Sequence, residues 1–388
     1  MDESDFYSRS FHLYLSPKRK VHPLKKFPYF VFTALALAAI AFYLSRRPYY
    51  NWDMFPYMAL TAQSTTPFDS THALIYRTAK EKMPSHDYEA IMRRQPALAS
   101  NSSAFQDALR YFRIKPIYLF STRTLHNSGV DLLTATWLPS ILSYALIGCL
   151  LFFWLQRIMI PPIAAGATLL FAITPYMITT ARFSSPDAMS ALFTFAGLYF
   201  ICESSVVLGI VLAFVSIAIR PDAVIMILPI CVALYKSKKV GNTYLFITLL
   251  LSMSTALVIL GGGGLPAEFL FTSSDYSQAW TLDQRIFHYG ESFINGLGSL
   301  ANSGVPIFLW LGVMSIISLN NNTTVAKCTR QFWWWLLAST LWMFAVRYLL
   351  HPVIEDRLLL SVYLLIFVGF CKTLQTYLPS KLKAPSKT

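Results

Sequence analysis

The sequence predicts an all-α polytopic membrane protein, with about ten transmembrane helices and a long first extracytoplasmic loop carrying short amphipathic helices. Two observations lead there. The 388-residue chain is 55% hydrophobic and only 13% charged, with a mean hydropathy of +0.48, whereas a soluble domain carries about a quarter charged residues. Its apolar runs also approach the roughly 20 residues that cross a bilayer, far beyond the roughly 4–8 of a buried strand.

The order of elements follows from charge and hydropathy. Residues 1–26 form a basic tail, in which Lys18, Arg19, Lys20, Lys25 and Lys26 place the N-terminus in the cytoplasm. Span 1 runs from Phe27 to Leu44 and has no small-residue cleavage site at its end, so it reads as a retained helix. Residues 46–130 form the first extracytoplasmic loop, with short surface helices expected over Ser64–Met83, Tyr88–Ala99 and Ala104–Arg113. Span 2 covers Leu132–Leu155, span 3 covers Ile158–Thr179 behind Pro161-Pro162, and span 4 covers Ser184–Cys202. The stretch Val206–Tyr235 is broken at Arg220-Pro221-Asp222 and makes spans 5 and 6.

Span 7 covers Thr243–Leu260 and ends in Gly261–Gly264, a hinge with no Lys-Ser/Thr after it to make a phosphate loop. A second extracytoplasmic loop, 265–298, leads to span 8 at Leu300–Leu319. Span 9 (Phe332–Leu350), a short loop at His351–Arg357 and span 10 (Leu358–Leu374) complete a membrane domain of 27–374, followed by a basic tail at 375–388. This alternation puts Lys236, Lys238, Lys239, Lys327, Arg330 and the C-terminal lysines on the cytoplasmic side, as the positive-inside bias requires. Trp333, Trp334 and Trp335 fall at that interface and read as an aromatic belt.

The net charge of +13 does not point to nucleic acid. The basic residues cluster at helix ends, where orientation and anionic headgroups account for them. The five cysteines form no CxxC and no His-paired metal spacing.

The same topology gathers charged groups at the outer face: Asp53, Arg182 with Asp187, Arg220 with Asp222, and the segment holding His351, Glu355 and Arg357. Ionisable groups at membrane depth are costly and usually functional. Each has a plainer reading. Asp53 fits the N-cap of a helix that Pro56 begins, Asp187 a helix start after Pro186, Arg220 and Asp222 a local ion pair, and residues 351–357 a solvated turn. Coincidence at all four is less expected than at one.

An aromatic-flanked Asp53 after the first span, Ser185-Pro186-Asp187 after the third, Arg220-Pro221-Asp222 between spans 5 and 6, and Arg357 in the last outer loop together resemble the GT-C superfamily. These are polytopic glycosyltransferases that use polyprenyl-phosphate sugars. The segment Tyr111-Phe112-Arg113-Ile114-Lys115-Pro116-Ile117-Tyr118, which closes the first loop, is similar to an Arg/Lys-Pro-Leu-Tyr stretch of some small members. The resemblance implies transfer of a sugar from a polyprenyl-phosphate donor to an extracytoplasmic glycan, lipid or protein acceptor, with inversion, in a bacterial inner membrane. No cofactor is implied, and the sequence does not support a divalent cation, since one Asp stands where some branches carry an acidic pair.

On that reading Asp53 is the catalytic base, and the donor phosphate is bound by Arg357 first, then Arg220 and Arg182, whose planar forks suit phosphate oxygens. Trp52, Tyr57, Lys115, Asp187, Asp222, His351 and Glu355 would line the substrates. The aromatics near Asp53 suit either sugar stacking or an interfacial belt. The rival class is a flippase or transporter of lipid-linked saccharides, which also uses broken helices.

Overall fold

The computed structural model describes residues 27–63, 68–203, 205–237, 248–249, 251–253, 282–301, 303–321, 327–350 and 356–377. Regular structure among them is helical; the nearest thing to a strand is one isolated bridge between Tyr49 and Phe183. The chain is therefore an all-α protein with apolar helices suited to a membrane. Two of these, α1 (Phe27–Ser45) and α9 (Leu132–Leu155), are long and apolar enough to cross one by length and composition. Up to four segments qualify if each of two bent helix pairs counts as one span.

Between α1 and α9 lie seven short helices: α2 (Met54–Ala62), α3 (Phe68–Lys82), α4 (Ser85–Arg94), α5 (Pro96–Ser100), α6 (Ser102–Ala108), α7 (Arg110–Arg113) and α8 (Pro116–Asn127). The expected surface helices match α3, the α4–α5 pair and the α6–α7 pair, the last two each divided into two pieces. Pro96 divides α4 from α5 because the residue before a proline is pushed out of the helical region; Gln95 sits at φ −134°, ψ 54°.

The helix α2 is not a surface helix. Every residue of α2 is buried, and it forms the centre of a second hydrophobic core with Phe105, Leu109, Phe112, Tyr118 and the first turn of α9. A loop without such a core would not hold its residues to one geometry; this one is a small domain packed on the bundle.

The bundle continues with α10 (Pro161–Ala172), α11 (Pro175–Arg182), α12 (Asp187–Glu203), α13 (Val206–Ile219), a 3-10 turn at Pro221–Ala223 and α14 (Val224–Lys236). It closes with α15 (Leu282–Ala301), α16 (Val305–Asn321), α17 (Lys327–Leu350), a 3-10 turn at Asp356–Leu359 and α18 (Leu360–Tyr377). The single span expected over Ile158–Thr179 is instead α10 and α11, bent by 60°. Pro175 has no N–H to continue the ladder and sets Thr174 to ψ 147°. The expected break at Arg220-Pro221-Asp222 is present, with Arg220 extended at φ −153°, ψ 112°. The expected span 7, Gly261–Gly264 and residues 265–281 fall almost entirely outside the described residues.

Helices α12 and α13 pack through glycines. A Cβ at Gly209 would lie 2.5 Å from the Gly197 carbonyl oxygen and 2.9 Å from the Ile201 nitrogen, contacts that real structures do not tolerate. Small residues let backbones approach where helices cross in a membrane. Gly209→Ala is therefore expected to cost about 1–3 kcal/mol by overpacking. The thermal midpoint of the purified protein checks it, and an unchanged midpoint would mean that the two backbones part freely there. Trp333 does not sit in an interfacial belt: it is buried against Trp154, with ring centroids 6.0 Å apart.

Candidate functional site

Six charged residues stand at helix ends that meet at one end of the bundle. Asp53 precedes α2, Lys115 precedes α8, Asp187 opens α12, Arg220 follows α13, Asp222 lies in the turn before α14, and Arg357 lies in the turn before α18. Proline explains much of this placement. Pro116, Pro186 and Pro221 each start a helix or turn beside a charged residue, because proline is favoured in a first turn and holds its predecessor extended.

Asp187 is the centre. Its side chain is only 2% exposed, and its two oxygens meet different arginines: Oδ1 pairs with Arg220 Nη1, and Oδ2 lies 3.6 Å from Arg357 Nε. The Ser185 hydroxyl donates to Oδ2 at 2.9 Å. The Ser184–Ser185 strap is itself tied to α9, where Ser140 donates to the Ser185 carbonyl at 2.9 Å and the Thr136 and Ser184 hydroxyls lie 3.0 Å apart. Arg357 extends the chain, donating from Nη1 to Asp53 Oδ2 at 2.8 Å, while its guanidinium lies 4.6 Å from the centroid of the Phe183 ring. Arg220 completes it with a two-pronged pair to Asp222 at 2.5 and 2.8 Å.

Asp53 is not a helix cap. It occupies the N-cap position of α2, yet its backbone is already helical (φ −54°, ψ −26°) and its side chain accepts no capping bond. The carboxylate faces Arg357 instead.

Lys115 approaches from the loop domain. Its ammonium donates to the Tyr57 hydroxyl at 2.8 Å and lies 4.7 Å from the centroid of the Phe112 ring. Burial, and then the nearby positive charge of Arg220, lower its pKa to about 8. Burial likewise pushes the Tyr57 hydroxyl well above its ordinary value, so Tyr57 stays a neutral partner. With Lys115 protonated, the three acids and three cations balance; once it loses its proton the cluster carries one net negative charge.

A cleft of about 50 Å³ adjoins the cluster. Asp187, Arg220, Asp222 and Arg357 line its polar side, and Met226, Phe344 and Val362 are among the apolar side chains of the other.

Of the residues expected at a site, Asp53, Asp187, Arg220, Asp222 and Arg357 are brought into one chain of ion pairs. Lys115 and Tyr57 adjoin it through the field of the same charges. Trp52 packs beside it, stacked on Phe55 at 5.4 Å, with an indole N–H that is buried and has no partner. Arg182 stands apart: its Nε donates to the Arg47 carbonyl at 2.5 Å, a tie between the end of α11 and the segment just after α1. Phe55 and Tyr57 are buried in the loop-domain core, which leaves neither ring face free for stacking on a sugar. His351 and Glu355 lie outside the described residues. Sequence reasoning missed Ser185, which orients Asp187, and Phe183, which carries Arg357; the Ser-Ser-Pro-Asp run was the one available signal for the first.

Among the described residues, no three His, Cys, Asp or Glu side chains gather as metal ligands. Compared with known proteins, the chain matches no family model, no curated protein and no solved structure.

Proposed function

We propose that the chain is an integral-membrane glycosyltransferase of the GT-C kind, with about ten spans and its site at the extracytoplasmic face of a bacterial inner membrane. The observation that carries this reading is the union of Asp53, Asp187, Arg220 and Arg357, drawn from four distant parts of the sequence, beside a half-apolar cleft. A lipid phosphate needs cations at headgroup depth, and two arginines held by one buried carboxylate supply them.

In the proposed transfer, the donor phosphate takes the fork of Arg357, which loosens its hold on Asp53. The Asp53 carboxylate then removes the proton from an acceptor hydroxyl. The hydroxyl oxygen bonds to the anomeric carbon as the bond from that carbon to the phosphate oxygen breaks. Polyprenyl phosphate leaves with both electrons of that bond, stabilised by Arg357 and Arg220, and the configuration inverts. The test is purified protein with a polyprenyl-phosphate sugar and an extracted acceptor: free polyprenyl phosphate is the expected product. Failure to release it across several donors counts against the enzyme.

Lys115 makes this reading testable by pH. A lysine whose folded pKa falls to about 8 is charged below that pH and neutral above it. Donor KM is therefore expected to rise as pH passes 8, and Lys115→Arg should flatten that rise. Folding runs the other way, since the unfolded chain binds the proton more tightly and stability gains between about pH 8 and 10.5.

One observation favours a second reading. The bent pairs α10–α11 (60°) and α15–α16 (72°) lie in different halves of the chain, as the broken helices of transporters do. Proteoliposomes decide between them: a flippase moves a lipid-linked sugar across the bilayer unchanged, whereas the transferase consumes it.

A further inference from the structure

At the end of the bundle opposite the charged cluster, α14 and α16 finish and α17 begins. There the surface carries a second, open pocket of about 210 Å³, lined by Leu319 and Asn320 of α16 and by Arg330, Gln331, Trp334 and Trp335 of α17. The geometry points to this cavity as a binding site for the headgroup of an anionic phospholipid, with Arg330 holding the phosphate and the two indoles flanking the glycerol.

Three features support that occupant. The first is charge. None of the described lining residues is acidic, and Lys236 from the end of α14 lies 5.0 Å from the centroid of the Trp335 ring, which adds a second cation to the wall. Glu203, an acid at this end, is joined to Arg157 at 3.3 Å.

The second is chemistry. Arg330 offers a planar fork, and Asn320 and Gln331 offer amides that donate to phosphate and glycerol oxygens. The third is place. Apolar α16 stops here, and Ser318 near its end is tied to Tyr377 near the end of α18 at 3.0 Å. The cavity thus opens at the level where hydrocarbon gives way to headgroups, and basic pockets between spans take anionic lipids there. Its volume is below the roughly 300–1,000 Å³ of sites that enclose a drug-sized ligand, so a headgroup fits while the acyl chains stay in the bilayer. Tryptophan favours that interface because one part of its ring is apolar and the other donates a hydrogen bond.

Purified full-length protein in neutral detergent, examined by native mass spectrometry with added phosphatidylglycerol, phosphatidylcholine or inorganic phosphate, tests the assignment. Phosphatidylglycerol is expected to remain bound and phosphatidylcholine to wash away. Losing a charge-assisted hydrogen bond lowers affinity about tenfold or more, which is the loss expected for Arg330→Gln. Gln331→Glu, which keeps the shape and adds a like charge, is expected to act in the same direction and serves if the first variant does not fold. Lys383→Gln, which removes one charge from the basic tail, is expected to change nothing. Equal losses in Arg330→Gln and Lys383→Gln would reduce the effect to general surface attraction and overturn the site. Equal retention of phosphatidylcholine would do the same, and competition by inorganic phosphate at the lipid's own concentration would assign the cavity to a free anion.

Discussion

Asp53→Asn is expected to lower sugar transfer by at least the roughly 10²–10⁴-fold that a positioned general base supplies, with the protein still folded and inserted. The amide keeps the shape of the carboxylate and still accepts from Arg357, but it takes no proton. Stability should barely change. The Asp53–Arg357 pair is partly solvated, with side chains 27% and 17% exposed, and such pairs contribute at most about 1 kcal/mol. No capping bond is lost either, because none is made. Single-turnover transfer from a labelled donor, with a thermal melt as the folding control, gives both numbers. Full activity in the variant would remove Asp53 from the chemistry and leave its pair with Arg357 as a structural tie.

The second large effect is expected at Asp187, and on stability. Replacing it by Asn leaves Arg220 and Arg357 facing a neutral group at a position whose side chain is 2% exposed. Breaking a buried ion pair from one side costs about 3–5 kcal/mol. Both arginines keep a second carboxylate, Asp222 and Asp53, so the lower end of that range is expected. Asp222→Asn is the comparison, because its side chain is 39% exposed and its loss should stay within about 1 kcal/mol. Unfolding midpoints of the two variants in the same detergent decide the matter. Equal shifts would mean that Asp187 is not the group that holds both arginines.

The two substitutions separate roles that the cluster combines. Asp53 is predicted to matter for rate and little for folding. Asp187 is predicted to matter for folding, and for rate only through the arginines it holds. A shared loss of both properties in both variants would indicate a purely structural ion-pair network.

Much of this was legible in the chain. The charge deficit and the runs at Phe27–Leu44 and Leu132–Leu155 foretold α1 and α9, because burying that much apolar surface in lipid leaves few other arrangements. Proline at 221 foretold the break before α14 for a local reason, its effect on the residue before it. The same rule applied to Pro175, yet the run around it was apolar enough to suggest one continuous span.

Other features had no local signal. Asp53 and Pro56 suggest a helix start, but nothing local says that Met54–Ala62 is buried; only the packing of α3, α6, α8 and α9 around it does that. Arg182 and Arg357 are both single arginines at the ends of helices or turns. Whether each meets a carboxylate or a backbone carbonyl depends on how α11 and α18 pack, which neither neighbourhood encodes.

By itself, then, the sequence determined an all-α protein with apolar helices suited to a membrane and charged groups beside its helix breaks, because hydropathy and proline act over a few residues at a time. Only the tertiary structure decided that Asp53 reaches Arg357 across 304 positions of sequence, and that one buried carboxylate at 187 holds both arginines. The reason is physical: a charge in a low-dielectric place must find its counter-charge wherever the fold brings one, and no local pattern records where that will be.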